Sequence, residues 1–554
     1  MCETYKVKIS GETYEYPAGT SYREIAKDVQ GKFADPIVLV MVGYKLCELY
    51  HHVTEDQEIT FITLADQLGN KAYRRSANMM LLKAFHDLTG GGENKLRLCF
   101  SVPGGSYYRV KGDASPKADF LAKLKNRMLE IAGEGLLFEK ETISKKQARK
   151  MFAAMGMDDK EKLFRYRMSS YVNVYHLGDF TDYFYGYMLP DTKEVKYFDL
   201  QPYKEGFVLL LPDWKSPYTV PALIPSPKLF AVQDEFEKMG DKLGIGTIGD
   251  LNERICKGEE IGNIRLVEEA VQAAKIAEIG NRIAEDGKIK IVCIAGPSSS
   301  GKTTFSRKVA IQLKSKGLCP HTVSLDNYYK ERSEVPRDEN GDYDFECIES
   351  LDLDLFRVQM EKLLAGERIE LPRYSFSSGG KKYVGDYLQM GPKDILIIEG
   401  IHGLNEKLSY FIPKEQKFKI YISALTLLNI DEHNHVPTTD GRLIRRIVRD
   451  YFFRTTSAQE TIAMWNSVRR GEELYIFPFQ EEADVVFNSA MAYEMAVLKI
   501  YAEPLLYQVP EDAPEYLEAN RLLKFLDYFV ALPSEDIANN SILREFIGGS
   551  CFDV

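Results

Sequence analysis

Ile289-Lys290-Ile291-Val292-Cys293-Ile294-Ala295-Gly296-Pro297-Ser298-Ser299-Ser300-Gly301-Lys302-Thr303-Thr304 decides the fold of the C-terminal half. Ile289 to Ile294 form a near-continuous β run, the kind buried on both faces of a parallel sheet. Gly296 to Thr304 fit the P-loop pattern GxxxxGK[ST], and Phe305 to Ser315 read as the helix that follows it. Small residues let backbone N–H groups curl around a β-phosphate, and a helix N-terminus adds partial positive charge. Lys302 can reach the β/γ oxygens, and the Thr303 hydroxyl can ligate Mg²⁺. The stretch predicts a nucleoside-triphosphate site built from Gly296, Pro297, Ser298, Ser299, Ser300, Gly301, Lys302, Thr303 and Thr304, with Mg²⁺ bound beside it.

Working outward, two more strands end in carboxylates. His321 to Leu325 run into Asp326-Asn327-Tyr328-Tyr329, and Asp394 to Ile398 run into Glu399-Gly400. In a doubly wound sheet the carboxyl ends of strands line the ligand crevice. Two carboxylates beside a Mg-triphosphate can supply a proton acceptor and a metal ligand. Further on, Asp440 to Asp450 read as a helix with Arg442, Arg445, Arg446 and Arg449, and Arg454 follows one turn later. Arg442, Arg446 and Arg449 are three or four apart and share a face. Two readings stand: a solvated, salt-bridged surface, or a lid whose arginines neutralise a migrating phosphoryl group.

The chain has 554 residues, 45% apolar and 28% charged, which points to two to four globular domains and excludes wholesale disorder. Lys plus Arg number 71 and Asp plus Glu 82, a net charge of -11 that argues against a non-specific nucleic-acid coat. No apolar run approaches the ~20 residues of a membrane span. The N-terminus lacks a signal-peptide core, and the eight cysteines are scattered without a CxxC pair. A cytoplasmic protein is expected. The pairs His51/His52 and His433/His435 lack partner cysteines and read as loop or surface.

At the front, Tyr5 to Ile9 and Thr13 to Tyr16 alternate at period two around the turn Gly11-Glu12. Ser21 is a plausible N-cap for a helix over Tyr22 to Val29, and Ile37 to Val42 and Ile59 to Thr63 read as strands. This order, with the turn Tyr16-Pro17-Ala18-Gly19-Thr20-Ser21, resembles a TGS domain, a ubiquitin-like module found in threonyl-tRNA synthetases and some GTPases. The helix Tyr73 to Leu88 carries Arg74-Arg75-Ser76-Ala77-Asn78-Met79 where the synthetase editing domain has its Arg-His-Ser-x-x-His type motif. Arg75, Met79, Phe184 and Met188 occupy the four places of its histidines and of its Cys and His. Those side chains cannot do editing chemistry, so residues 65–225 are expected to be a non-catalytic module.

The P-loop, Asp326-Asn327-Tyr328-Tyr329, Tyr343-Asp344-Phe345-Glu346, Arg373-Tyr374-Ser375-Phe376, Ile398-Glu399-Gly400 and the arginine helix follow one another as in uridine-cytidine kinases. From about 288 to 505 the chain resembles the uridine kinase/phosphoribulokinase family. The resemblance implies that Asp326 is the general base toward an acceptor 5′-hydroxyl and that Thr303 and Glu399 hold Mg²⁺. It implies a catalytic role for Lys302 and Arg449, phosphate contact for Arg454, and acceptor contact for Glu346, Tyr374, Phe376 and Arg446. Glu346 replaces the family's aspartate, Gly379 stands where its pyrimidine-reading histidine falls, and Thr456 replaces its last lid arginine.

The expected architecture is α/β. A TGS-like β-grasp domain (1–64) and an editing-like α+β domain (65–225) lead through a helical connector (226–287) to a P-loop kinase domain with a parallel sheet (288–505). A helical extension (506–554) closes the chain. The expected activity is transfer of the ATP γ-phosphoryl group to a small-molecule acceptor, a nucleoside by resemblance. A kinase for another alcohol or sugar phosphate, and an ATP-switched RNA-binding regulator using the N-terminal half, stay open beside it.

Overall fold

The computed structural model describes residues 3–339, 341–375, 378–426 and 428–553. At the front, five strands lie in the order Glu12–Pro17, Thr4–Ile9, Gln57–Thr63, Ile37–Val42, Lys45–Glu48, with Thr4–Ile9 parallel to Gln57–Thr63 and the other pairs antiparallel. The helix Tyr22–Val29 begins where Ser21 and Glu24 form a capping box. Its Tyr22, Ile25, Ala26 and Val29 pack on Val7, Ile9, Val40 and Ile59. The other sheet face, through Val38, Leu39, Leu46 and Ile62, packs against the long helix Gln67–Thr89. Burial on both faces explains why Ile37–Val42 is apolar throughout.

Residues 67–210 add two antiparallel sheets. One orders Asp199–Tyr203, Gly206–Leu210, Gly105–Lys111 and Lys95–Val102; the other orders Phe180–Asp182, Tyr171–Leu177 and Glu139–Ser144. Met79, Phe184 and Met188 are buried core. Arg75 donates from Nη1 to the Tyr187 carbonyl at 2.6 Å. Glu48, reaching over from the first sheet, accepts from the Met188 N–H at 3.2 Å and pairs with Lys140 at 2.8 Å.

Pro227–Leu243, Ile248–Lys257 and Glu259–Asp286 are helices. Ile248, Leu251, Ile276, Ile279 and Ile283 share one core with Phe152 and Phe164 before them and with Phe305 and Leu313 after them. The connector is therefore a packed layer. The C-terminal sheet is wholly parallel, in the order Cys319–Ser324, Asp394–Glu399, Ile291–Ala295, Lys417–Ser423, Val485–Asn488. Along Ile291–Ala295, Val292 and Ile294 enter one core while Ile291 and Cys293 enter another, so both faces demand apolar residues. Residues 506–554, read from sequence as helical, hold the helices Tyr516–Leu526 and Arg544–Ile547 and otherwise turns. Pro510, Pro514, Pro533 and Gly548-Gly549 interrupt any longer helix. Among the described residues no helix is long and apolar enough to cross a membrane.

His433 and His435, read from sequence as loop or surface, face inward. His433 lies 2.6 Å from Asp182 and 3.0 Å from the Lys160 ammonium. Lys160 also pairs with Asp182 at 3.2 Å and Asp431 at 3.4 Å, all three with fully buried side chains. Burial alone would lower the Lys160 amine, but Asp182 and Asp431 outweigh it and hold it well above its ordinary value. Removing one partner of such a cluster leaves buried charge uncompensated, which costs about 3–5 kcal/mol. Lys160→Ala should lose stability of that order in urea denaturation at pH 7, and an unchanged midpoint would contradict the assignment.

Candidate active site

The carboxyl ends of three neighbouring strands bring the site together. Ser324, Glu399 and Ile294 are register partners across the sheet, so Asp326, Glu399 and the P-loop leave it side by side. The P-loop follows Ala295 and caps the helix Lys302–Ser315. A Cβ on Gly296 would lie 1.9 Å from the Ile422 carbonyl oxygen, so only glycine fits. Gly301 takes φ 84° as the helix N-cap and offers no side chain to the first-turn N–H groups.

Lys302 folds back, donating to the carbonyls of Gly296 at 3.0 Å and Pro297 at 3.1 Å. Burial lowers its amine, opposed by Glu399, Asp326 and Glu545 in that order. Asp326 is solvent-accessible but stands in a crowded cleft. Lost hydration raises its carboxyl, against the pull of Lys302, Arg454 and Arg449. Glu399 is pushed up to about 7 by burial and by Asp326. The geometry thus gathers Lys302, Asp326, Glu399, Arg449 and Arg454.

The arginine helix spans Thr438–Arg454, and its arginines divide into two groups that periodicity does not reveal. Arg442 and Arg445 are fully buried braces. Arg442 pairs with Glu472 through both carboxylate oxygens and donates to the Ser298 carbonyl at 3.2 Å. Arg445 pairs with Glu494 at 2.9 Å and reaches the Ser299 carbonyl at 3.3 Å. Arg446 donates to Ser298 Oγ at 2.9 Å, and Arg449 to Asp450 at 2.7 Å. The Arg454 side chain is 58% exposed. A solvated, salt-bridged surface therefore describes only the last turn.

Glu472 has no role in the sequence reading, yet it also accepts the Ser298 N–H at 3.2 Å. Burial would raise its carboxyl, but Arg442 and Arg469 hold it below the ordinary value. A run of acids at Gly471-Glu472-Glu473 gives no sequence signal for such a partner. Glu346 is pushed up to about 7 by burial, opposed by Arg446. It packs on Gly471, where an added Cβ would lie 2.4 Å from its own Cβ. Tyr374 stands with its ring 5.6 Å from Tyr329, itself 5.5 Å from Phe345, in an aromatic cluster beside Asp326. Its backbone N–H donates to Asn327 at 3.3 Å. Phe376 lies outside the described residues.

The donors fit a Mg-triphosphate: the Ser299, Ser300 and Thr304 hydroxyls are buried without a hydrogen-bond partner, next to Lys302 and two carboxylates.

Residues 291–496 match the Phosphoribulokinase / Uridine kinase family model. A uridine kinase of Halobacterium salinarum is 26% identical over 215 residues, covering 38% of this chain and 86% of that protein. A uridine kinase of Staphylococcus aureus is 28% identical over 211 residues, covering 37% of this chain and 91% of that protein. A D-glycerate 3-kinase structure from Cryptococcus neoformans aligns at 16% identity and TM-score 0.28, covering 36% of this chain and 88% of that one. With the P-loop and the parallel sheet, the family and sequence matches support a P-loop kinase domain, a phosphotransferase, in the C-terminal part.

Because the Glu399 carboxyl is raised when folded, its contribution to stability is present below about 4.5 and lost as pH rises through about 7. Glu399→Gln should therefore stabilise the nucleotide-free protein at pH 8 by roughly 1–2 kcal/mol after allowance for screening. The gain should vanish below pH ~4.5. Urea denaturation at both pH values checks this; a variant less stable than wild type at pH 8 would refute it.

Proposed function

We propose that the chain is an ATP-dependent kinase that transfers the γ-phosphoryl group to the 5′-hydroxyl of a nucleoside-like acceptor. The observation that carries this is the convergence of Asp326 and Glu399, at the ends of neighbouring strands, on Lys302 of the P-loop. Asp326 accepts the hydroxyl proton, and lost hydration raises its affinity for that proton. The acceptor oxygen bonds to the γ-phosphorus as the bond to the bridging oxygen breaks, and ADP leaves. Thr303 and Glu399 would hold Mg²⁺, which supplies charge neutralisation on the phosphates when bound. Lys302, Arg449 and Arg454 offset the remaining negative charge.

The aromatic cluster Tyr329, Phe345 and Tyr374 suits stacking on a flat base, and Glu346 beside Arg446 suits ribose hydroxyls. Gly379 has φ 69°, and a Cβ there would lie 3.0 Å from the Arg332 Cβ. A side chain reading a pyrimidine edge from that position would be strained, which favours loose base selection. It also keeps an alcohol or sugar phosphate as the second acceptor class.

In this reading residues 1–64 are a TGS-like β-grasp unit, supported by the strand order, and 65–225 an editing-like module without hydrolytic chemistry. The apolar filling at Met79, Phe184 and Met188 supports that assignment. RNA contact by this half and a cytoplasmic setting belong to the same proposal.

ATP turnover with a panel of nucleosides and sugar phosphates tests the activity. Asp326→Asn should lower acceptor-dependent turnover by roughly 10²–10⁴ while still binding Mg-ATP. Lys302→Ala should abolish transfer with the fold intact. If no acceptor raises the wild-type rate above background, the kinase reading fails and the RNA-binding regulator gains.

A further inference from the structure

The C-terminal segment lies directly on the P-loop. Ile542 Cγ2 is 2.5 Å from where a Cβ on Gly301 would be. Phe546 lies beneath the Arg445 guanidinium at 4.8 Å, and that same arginine reaches the Ser299 carbonyl. Ile542, Leu543 and Phe546 are buried, so this is a seated segment rather than a loose end. Arg544 fastens it internally, donating to the carbonyls of Ser534 at 2.9 Å and Ile537 at 2.7 Å.

Between those apolar anchors, Glu545 accepts the backbone N–H of Thr304 at 3.0 Å. That N–H is one of the first-turn donors left without an intrahelical partner. In a P-loop such donors are the ones that take phosphate oxygens. The Glu545 carboxylate also lies close enough to Lys302 and Glu399 to shift both. An anion on a helix N-terminus is what a phosphate would be, and here a carboxylate holds the place. Three neighbouring hydroxyls, Ser299, Ser300 and Thr304, are 3%, 0% and 0% exposed and have no partner. Glu545 takes the Thr304 N–H and none of these hydroxyls, so the site is built for more acceptors than Glu545 supplies.

We propose that the segment Ser541–Ile547 is a built-in competitor of the nucleotide, with Glu545 occupying a phosphate position that Mg-ATP must take by unseating it. The proposal rests on the nucleotide reading given above. The seated state excludes phosphate twice, by filling the Thr304 donor and by placing negative charge beside it. A segment seated nine-tenths of the time raises an apparent Kd about tenfold.

The test is calorimetric titration of the full chain with Mg-ATP for wild type, Glu545→Ala and Glu545→Gln, together with hydrogen exchange of residues 541–547 in wild type. Glu545→Ala should bind Mg-ATP about tenfold more tightly, and Glu545→Gln, which keeps an acceptor but no charge, should tighten it less. Exchange over 541–547 should speed up when Mg-ATP is added. Measurable binding that Glu545→Ala leaves unchanged or weakens overturns the proposal alone and makes Glu545 a helix cap. Exchange that stays slow with Mg-ATP bound overturns it as well, and does so even if the alanine variant fails to fold. No binding of Mg-ATP by wild type or either variant overturns the nucleotide reading and this proposal with it.

Discussion

A phosphate-binding loop is a curl of backbone around a space, and something outside the loop has to hold that curl open. Here the constraint is met by the buried pair of Arg442 and Glu472. Glu472 takes the Ser298 N–H while Arg442 takes the Ser298 carbonyl, so one ion pair grips both polar groups of a single peptide residue. Arg445, paired with Glu494, grips the next residue through its carbonyl alone, that of Ser299. Such pairs gain little as stability, because desolvation offsets much of the attraction. What they fix is position: each guanidinium fork has fixed geometry and is charged at any working pH. The Ser299, Ser300 and Thr304 hydroxyls are left without a partner beside them.

This division of labour accounts for the site's electrostatics. Glu472, paired with the buried Arg442, is held below the ordinary range, whereas Glu399 and Glu346, facing the cleft, are pushed up to about 7. The cleft thus holds acids whose charge is not fully compensated by protein. An incoming divalent cation or hydroxyl has something to satisfy, at the expense of stability in the empty state.

The P-loop strand and helix were readable because their signal is local: consecutive apolar residues, then small ones, then Lys302. Asp326 and Glu399 could be placed together because both follow strand-like runs, His321 to Leu325 and Asp394 to Ile398, and a parallel sheet brings strand ends together. The front sheet was readable from alternation at Tyr5 to Ile9 and from Ser21 as a cap, though the short strand Lys45–Glu48 carries too little pattern to be seen. What escaped was pairing across long separations. Arg442 and Arg446 are one turn apart with the same side chain, and only the tertiary position of Glu472 makes the first a brace and leaves the second beside Ser298. Glu545 gives no hint at all, since a lone acid near a chain end is ordinary. The extension, read as helical, holds the short helices Tyr516–Leu526 and Arg544–Ile547, and its prolines and Gly548-Gly549 keep a longer one from forming.

The same logic bears on how the front half relates to the kinase. The first turn of the arginine helix is held from two sides. Asp440 there is gripped by Arg521 of the C-terminal helix at 2.6 and 2.9 Å. Just before it, the segment around Asp431 and His433 is locked to Asp182 and Lys160 of the front half, and Asn434 donates to the Tyr183 carbonyl at 2.9 Å. A linker-joined module would leave the arginine helix indifferent to what precedes residue 226. Instead, charges drawn from both ends of the chain are buried within a few residues of its start, in a medium where an unpaired charge is costly. The helix that braces the P-loop is therefore set in place by the front half as well as by the kinase sheet, and the two halves share one mechanical frame.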